Sequence, residues 1–202
     1  MKTRGKAGAL AAIALAAALA ACSPIGVGIG AGAVVGVGAA QERGLRSAAE
    51  DTALKLAISR RLLENKLALF TKVTVTVVEG RVLLTGAVRY EENRDLAAEL
   101  ARQSESARQV LNEIQVTPEG TIFNYTADAA ITAKLKAAIF GDPRVRDINY
   151  AVETVNAMVY LIGIARDEKE IERVLEHARN IAGVKRIVSH VLARDDPRRF
   201  NP

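Results

Sequence analysis

The chain has no tryptophan, one cysteine, two histidines, and only four tyrosines and four phenylalanines among its 202 residues. So few aromatics leave little from which to build a stacking platform for nucleic-acid bases. A single cysteine, Cys22, makes neither an intramolecular disulfide nor a multi-cysteine metal site. His177 and His190 stand apart, in a helical and a strand-like segment. No His-Glu-x-x-His spacing, phosphate loop or Gly-x-Ser-x-Gly elbow accompanies them. Acidic pairs such as Glu91/Glu92 and Asp195/Asp196 fall at a charged helix start and near the C-terminus, where solvated faces or helix-dipole complements are the expected roles. The chain is therefore expected to be no enzyme and to have no catalytic residue, metal or cofactor.

A concentrated excess of positive charge is also lacking. The formal net charge is +5, but Lys2, Arg4 and Lys6 belong to an acid-free N-terminal stretch. Without those three, 25 basic residues face 23 acidic ones. That balance gives no whole-chain footprint for a nucleic-acid partner.

What is present begins with a leader. Lys2, Arg4 and Lys6 form a positive n-region, and Ala7 to Ala21 an apolar h-region too short to span a bilayer, which takes about 20 residues. It ends Leu19-Ala20-Ala21-Cys22, small residues before a thiol. This order resembles the bacterial lipobox, which implies diacylglyceryl transfer to Cys22, cleavage before it and acylation of the freed amine. Ser23, rather than an aspartate, favours the outer membrane. Pro24 to Ala40 reads PIGVGIGAGAVVGVGAA. No strand precedes its glycines, so a dinucleotide loop is rejected. A flexible apolar tether against lipid headgroups is expected. Gly28, Gly32 and Gly36, at four-residue spacing, leave helix packing as the alternative.

The rest of the chain matches itself without a gap at an offset of 77 residues. Asp51 aligns with Asp128, Leu54 with Ile131, Ile58 with Leu135 and Leu62 with Ile139. Val75 meets Val152, Gly86 meets Gly163, and Val110 meets Ile187. Two copies of one fold are expected, rather than a solenoid of many short repeats. In each copy an aspartate (Asp51, Asp128) reads as the N-cap of a helix whose apolar seam recurs every four residues. An alternating strand follows, Val73, Val75 and Val77 on one side and Thr74 and Thr76 on the other. Glu79-Gly80 and Asn156-Ala157 mark tight turns into second strands, VLLTGAV (Val82 to Val88) and VYLIGIA (Val159 to Ala165). Amphipathic helices, about Glu91 to Gln109 and Glu168 to Ile181, lead to third strands, Val110 to Val116 and Ile187 to Leu192.

The expected fold class is α+β: two tandem units, each helix-strand-strand-helix-strand, with both helices on one face of a three-stranded mixed sheet. So small a unit buries a modest core, and pairing the two would help both. The expected organisation is a signal peptide over 1–21, a lipidated tether over 22–45, a first domain over 46–117, a linker over 118–126, a second domain over 127–194 and a tail over 195–202. Gly86 and Gly163, each after an apolar run, are expected to be structural, allowing a bulge or a close helix approach.

With these features the chain resembles the BON-domain family, and within it the dual-BON outer-membrane lipoproteins. The resemblance rests on the lipobox with its Gly/Ala/Val-rich sequel, and on Gly86 and Gly163. It rests also on Ile131-Thr132-Ala133-Lys134 and on Gly183-Val184-Lys185-Arg186-Ile187 before the last strand. It implies a lipid-anchored protein of the outer membrane, facing the periplasm, that binds anionic phospholipid through its second domain and maintains envelope integrity. The family's aromatic before Ile-Thr-x-Lys is replaced here by Ala130.

The candidate lipid contact is the first helix of the second domain. Lys134 and Lys136 flank its seam where the first copy has Ala57 and Ser59. Phe140, one turn from Lys136, offers an apolar wedge, and Arg144 adds charge from the next loop. The competing reading of Phe140 is a core-edge residue, like Leu63. The competing function is a periplasmic adaptor binding outer-membrane protein assembly factors.

Overall fold

The computed structural model describes residues 44–119 and 124–200. The leader, Cys22 and the glycine-rich stretch lie outside the described residues. The element order is α1 (Gly44–Asn65), α2 (Leu67–Lys72), β1 (Val73–Val78), β2 (Arg81–Val88), α3 (Glu91–Arg102), β3 (Gln109–Asn112) and β4 (Gln115–Val116). The second repeat follows as α4 (Tyr125–Phe140), β5 (Tyr150–Val155), β6 (Met158–Ala165), α5 (Glu168–Arg179) and β7 (Arg186–Ala193). No helix among the described residues is long and apolar enough to cross a membrane.

In each repeat the first two strands pair antiparallel and the third returns parallel to the second, giving a mixed three-stranded sheet. In the first repeat the third strand is broken. β3 and β4 each pair with β2, and Glu113 and Ile114 interrupt the ladder between them. β7 runs unbroken. The Val73, Val75 and Val77 face of β1 is buried under α1 and α3 with Leu54, Ile58 and Leu62. The second repeat builds the same core from Ile131, Leu135, Ile139, Val152, Val159, Leu161, Val174 and Val191. Both helices therefore cover one face of each sheet, as the periodicity predicts.

Three expectations change. Asp51 and Asp128 are not N-caps. α1 starts seven residues before Asp51, and α4 is capped by Asn124, whose side chain accepts from the Ala127 amide at 3.0 Å. Both aspartates are instead buried and turned onto the β-hairpin. Asp51 accepts the backbone N–H groups of Glu79 and Gly80, each at 2.8 Å, and Asp128 those of Asn156 and Ala157 at 2.7 and 2.8 Å. These turns carry positive φ at both central residues, 53° and 72° in the first repeat and 52° and 65° in the second. That is the primed geometry whose twist suits a tight hairpin, and it leaves amides that need an acceptor. Second, a further helix, α2, stands between α1 and β1, and at its offset positions the second repeat has only a short 3-10 turn, Asp147–Asn149. Leu69 of α2 is buried in the first core. Third, the amphipathic helices end early, at Arg102 and Arg179.

Gly86 (φ +131°) and Gly163 lie where the chain entering the edge strand crosses close above β2 and β6. An added Cβ would overlap the carbonyl oxygen of Lys72 or of Asn149, the last residue of α2 and of a short 3-10 turn respectively.

The remaining sheet faces cover each other. Val78, Leu83 and Ala87 pack with Val155, Tyr160, Ile162, Ile164 and Leu192, and Leu111 and Val188 join them. Val78, Leu83, Ala87 and Leu111 have Val155, Tyr160, Ile164 and Val188 as their mates at the offset of 77, so each repeat presents the same patch. β1 crosses β6 just as β5 crosses β2. This is an isologous interface, with an approximate two-fold axis lying between the sheets. Thr76 and Glu153, mates at the offset of 77, meet at 3.5 Å at the edge strands β1 and β5.

The C-terminal residues close one rim of this seam. Past β7 the chain makes a short 3-10 turn, Pro197–Arg199, and the buried Arg199 forms an ion pair with Glu79 at 2.5 Å. Arg108 donates to the Arg199 carbonyl at 2.6 Å. At another point Gln115 donates to the Val155 carbonyl and to the Tyr160 hydroxyl, both at 3.0 Å, and accepts from the Asn156 side chain at 2.7 Å.

Candidate functional site: the outer face of the second repeat's first helix

α4 reads YTADAAITAKLKAAIF, rich in alanine, the strongest helix former. It ends at Phe140, with Gly141 as C-cap and Pro143, which cannot extend a helix, two residues further on. Its seam of Ile131, Leu135 and Ile139 is buried, with Asp128 beside it. Thr132 ties one flank to the sheet through a 2.7 Å hydrogen bond to Thr154 on β5.

At 3.6 residues per turn, Lys134 and Lys136 fall on opposite flanks of this seam. Both are exposed, as are Ala129, Ala130, Ala133 and Ala137 on the arc between them. Phe140 lies beside Lys136 on that arc and is 77% exposed, so the core-edge reading of this residue is set aside. Tyr125, in the first turn, is 62% exposed and was not singled out from the sequence. The helix is thus apolar outside as well as inside, with a lysine on each shoulder. A globular surface helix ordinarily carries polar residues outside. Its only acid, Asp128, is buried against the hairpin turn.

α1 differs in charge rather than shape. Leu56 (60%) and Leu63 (44%) are exposed there, but two of its cations are neutralised within the helix, Arg46 by Glu50 at 2.9 Å and Arg60 by Glu64 at 2.6 Å. Arg60 stands at the position of Ala137.

Arg144 is exposed on the loop after α4, and its charge is shared. Its Nε lies 3.2 Å from the buried carboxylate of Asp142, which also meets Arg173 at 3.4 Å and His177 Nε2 at 3.0 Å. The Arg144 backbone amide, then His177 and the Arg144 side chain, hold the Asp142 carboxyl well below the usual carboxylate range. Glu170, buried on α5, secures the same loop by accepting from the Arg146 amide at 2.8 Å and from Arg166 Nε at 2.6 Å. Burial pushes its carboxyl up, but these donors outweigh it and the net direction is down. The histidines thus serve as partners of acids, His177 with Asp142 and His190 with Glu113 at 2.9 Å. Among the described residues no group of three or more His, Cys, Asp or Glu is placed to hold a metal ion.

The model of the BON domain matches this sequence twice, over residues 50–118 and 127–195. The chain belongs to the BON-domain family. Its two BON domains are the two repeats described above. The chain is similar to an uncharacterized protein in the gshII 5′ region of Anaplasma centrale, 36% identical over 143 residues, which cover 70% of this chain and 93% of that protein. It is similar also to the outer membrane lipoprotein DolP of Haemophilus influenzae, 30% identical over 117 residues, covering 58% of this chain and 60% of the relative. Osmotically-inducible protein Y of Escherichia coli is 25% identical over 140 residues, 68% of this chain and 70% of that protein.

Of the residues expected to meet lipid, Lys134, Lys136, Ala130 and Phe140 share the exposed arc of the second BON domain's first helix, and Arg144 stands just beyond its end. Ala130 lies beside Lys134 on the flank opposite Phe140, so the bulky apolar group sits with Lys136 and not next to the Ile-Thr-x-Lys stretch.

Proposed function

We propose that this BON-domain protein is a lipoprotein, acylated on Cys22 and held at the periplasmic face of the outer membrane, whose second domain docks on anionic phospholipid through α4. The observation that carries the reading is the outer face of α4: Phe140 77% exposed, alanines beside it, a lysine on each flank and no exposed acid on the helix. An apolar wedge with basic shoulders suits the boundary between acyl chains and anionic headgroups. The relative named an outer membrane lipoprotein supports the location. Two or more acyl chains on Cys22 would make release negligible, since each buried CH₂ contributes about 0.8 kcal/mol. In this reading the anchor supplies residence at the membrane and α4 supplies orientation and headgroup preference.

Flotation of residues 23–202, free of leader and acyl groups, with phosphatidylglycerol or phosphatidylcholine vesicles tests the docking. Binding to the anionic vesicles alone, weakened by salt, is expected. Equal binding to both, or to neither, contradicts it, and the second outcome favours an adaptor for assembly factors. Labelled fatty acid should enter the wild-type chain and not a Cys22→Ser variant.

A further inference from the structure

The corner beyond each repeat's first helix is filled differently in the two domains. In the second domain it holds Asp142 and Arg144 on the loop after α4, with Arg173 and His177 on α5. Their mates at the offset of 77 are Asn65, Leu67, Leu96 and Leu100. Leu96 and Leu100 pack in the apolar core of the first domain. The same fold therefore closes this corner with leucine. A buried carboxylate with cations around it ordinarily contributes no more to stability than well-packed apolar side chains in its place. The charged corner needs a reason other than folding.

Its geometry fixes two guanidinium groups on one acid. Asp142 is 7% exposed. One of its oxygens accepts from the Arg144 amide at 3.0 Å and from Arg144 Nε at 3.2 Å. The other meets Arg173 Nη1 at 3.4 Å and His177 Nε2 at 3.0 Å. The carboxylate is thus taken up within the protein, while each guanidinium engages it through one nitrogen and keeps N–H groups to spare. Neither guanidinium makes a further hydrogen bond among the described residues. The Arg144 side chain is 66% exposed and that of Arg173 30%. Arg166, close by, is paired with its own acid, Glu170, at 2.6 Å and donates to the Arg144 carbonyl, which steadies the loop. Glu168, Glu172 and Glu176 recur every four residues on an exposed shoulder of α5, and Arg173 and His177 turn from that shoulder toward the loop. None of the three acids forms an ion pair with Arg144 or Arg173 among the described residues.

We propose that Arg144 and Arg173 form a clamp for a phosphate group, positioned by Asp142, at the end of α4 in the second BON domain. Two permanent cations stand against a single acid here, so the corner has positive charge left over for an anion. Guanidinium forks match phosphate oxygens two at a time, and groups already held in place lose little freedom on binding. His177 is a positioning residue: it holds the second oxygen of Asp142. The clamp goes beyond the docking of α4 and does not depend on it; only a lipid source for the phosphate rests on that reading. Phe140, the last residue of α4, stands four residues before Arg144. A wedge for acyl chains and a clamp for phosphate thus occupy one end of the helix, in the order in which a phospholipid layer presents those groups. The first domain, with Leu67 and Leu96 at the two arginine positions, has no such clamp.

With only two histidines in the chain, His177 reports on the clamp and His190, paired with Glu113, is the internal control. Residues 23–202 carrying isotope-labelled histidine would be titrated at constant pH and ionic strength, followed by nuclear magnetic resonance. One titration uses inorganic phosphate and a second uses monomeric dihexanoyl phosphatidylglycerol. The proposal expects a saturable displacement of the His177 ring signals with His190 unmoved. Arg144→Gln and Arg173→Gln should each weaken it at least about ten-fold, the loss of a charge-assisted hydrogen bond. Arg144→Lys keeps a cation beside Asp142 but removes the fork, so it should also bind more weakly while protecting the fold, which melting curves check. A response to both ligands supports the clamp with a lipid headgroup as the source, and a response to inorganic phosphate alone supports it with a soluble phosphate as the source. No displacement of His177 by either ligand overturns the clamp. So does equal displacement of both histidines, or an undiminished response in the folded arginine variants. Flotation of the wild-type chain tests the docking of α4 separately, so a chain that floats without a His177 response has lost the clamp alone.

Discussion

Glu113 and His190 are 77 residues apart in the sequence and 2.9 Å apart in space. The separation equals the repeat offset, so each residue meets its own counterpart. Thr76 and Glu153 do the same where the axis emerges at β1 and β5. Residues that touch their own counterparts must lie near a symmetry axis, and these two pairs mark its course between the sheets. The duplication thus supplies, within one chain, the interface of a symmetric dimer.

This interface should bind the two domains into one cooperative unit. Leu83 is fully buried at its centre, opposite Tyr160. Leu83→Ala should cost about 2–5 kcal/mol, the usual range for a leucine cavity. The loss falls on a seam shared by both domains, so calorimetry should show one lowered transition. A second transition left at the wild-type temperature would mean that the domains unfold independently.

The hairpin turn of the second domain carries a correctable strain. Ala157 has φ 65°, where the first domain has Gly80 at φ 72°. The left-handed region costs a residue with a Cβ roughly 1–2 kcal/mol. Ala157→Gly should therefore raise stability by about 1 kcal/mol despite adding a glycine. Asp128→Ala should lower it by about 1–3 kcal/mol for each turn amide left without an acceptor. Urea titrations of the two variants check both signs, and a stabilising Asp128→Ala would refute the role given to that carboxylate.

Much of this was legible in the sequence, for identifiable reasons. The offset of 77, the apolar seams and the strand alternation all record burial, and burial repeats with the fold. The tight turns were legible too, because few residue pairs accept positive φ twice. Asp51 and Asp128 were misread because an aspartate before an apolar seam is an N-cap in local terms, while their partners lie 28 and 29 residues away. α2 is not legible because it is only six residues long and its counterpart in the second repeat is a single 3-10 turn, Asp147–Asn149, too short for a periodicity to show. The sheet-to-sheet seam was only hinted at: Val78, Leu83, Ile162 and Ile164 read as parts of apolar runs, and nothing local says that each sheet buries its second face. On α4 the two lysines stood out against Ala57 and Ser59, but the apolar outer face was written in small residues, mainly alanine, and passed unnoticed.

Glu153 gives the fold a pH dependence. Burial raises its carboxyl pKa, and Lys136, Lys55 and the Thr76 hydroxyl only partly offset this. A carboxyl whose pKa is higher in the folded than in the unfolded chain favours folding in its protonated form. Its contribution is fully present below the unfolded value and is lost as pH rises through the folded one. Glu153→Gln should therefore raise the melting temperature at neutral pH and leave it nearly unchanged in acid. A variant less stable than wild type at neutral pH and equal to it in acid would reverse the sign.

The central claim is that basic shoulders on α4 hold the second domain to anionic lipid. Each basic side chain near an anionic surface contributes about 1 kcal/mol, so Lys134 and Lys136 together account for roughly a thirty-fold change in affinity. The most direct measurement is the affinity of residues 23–202 for phosphatidylglycerol vesicles, with and without the pair Lys134→Glu and Lys136→Glu, at matched salt and with melting curves to confirm the fold. The account predicts a loss of at least about thirty-fold in the folded double variant. A folded double variant that binds these vesicles as tightly as the parent would contradict it.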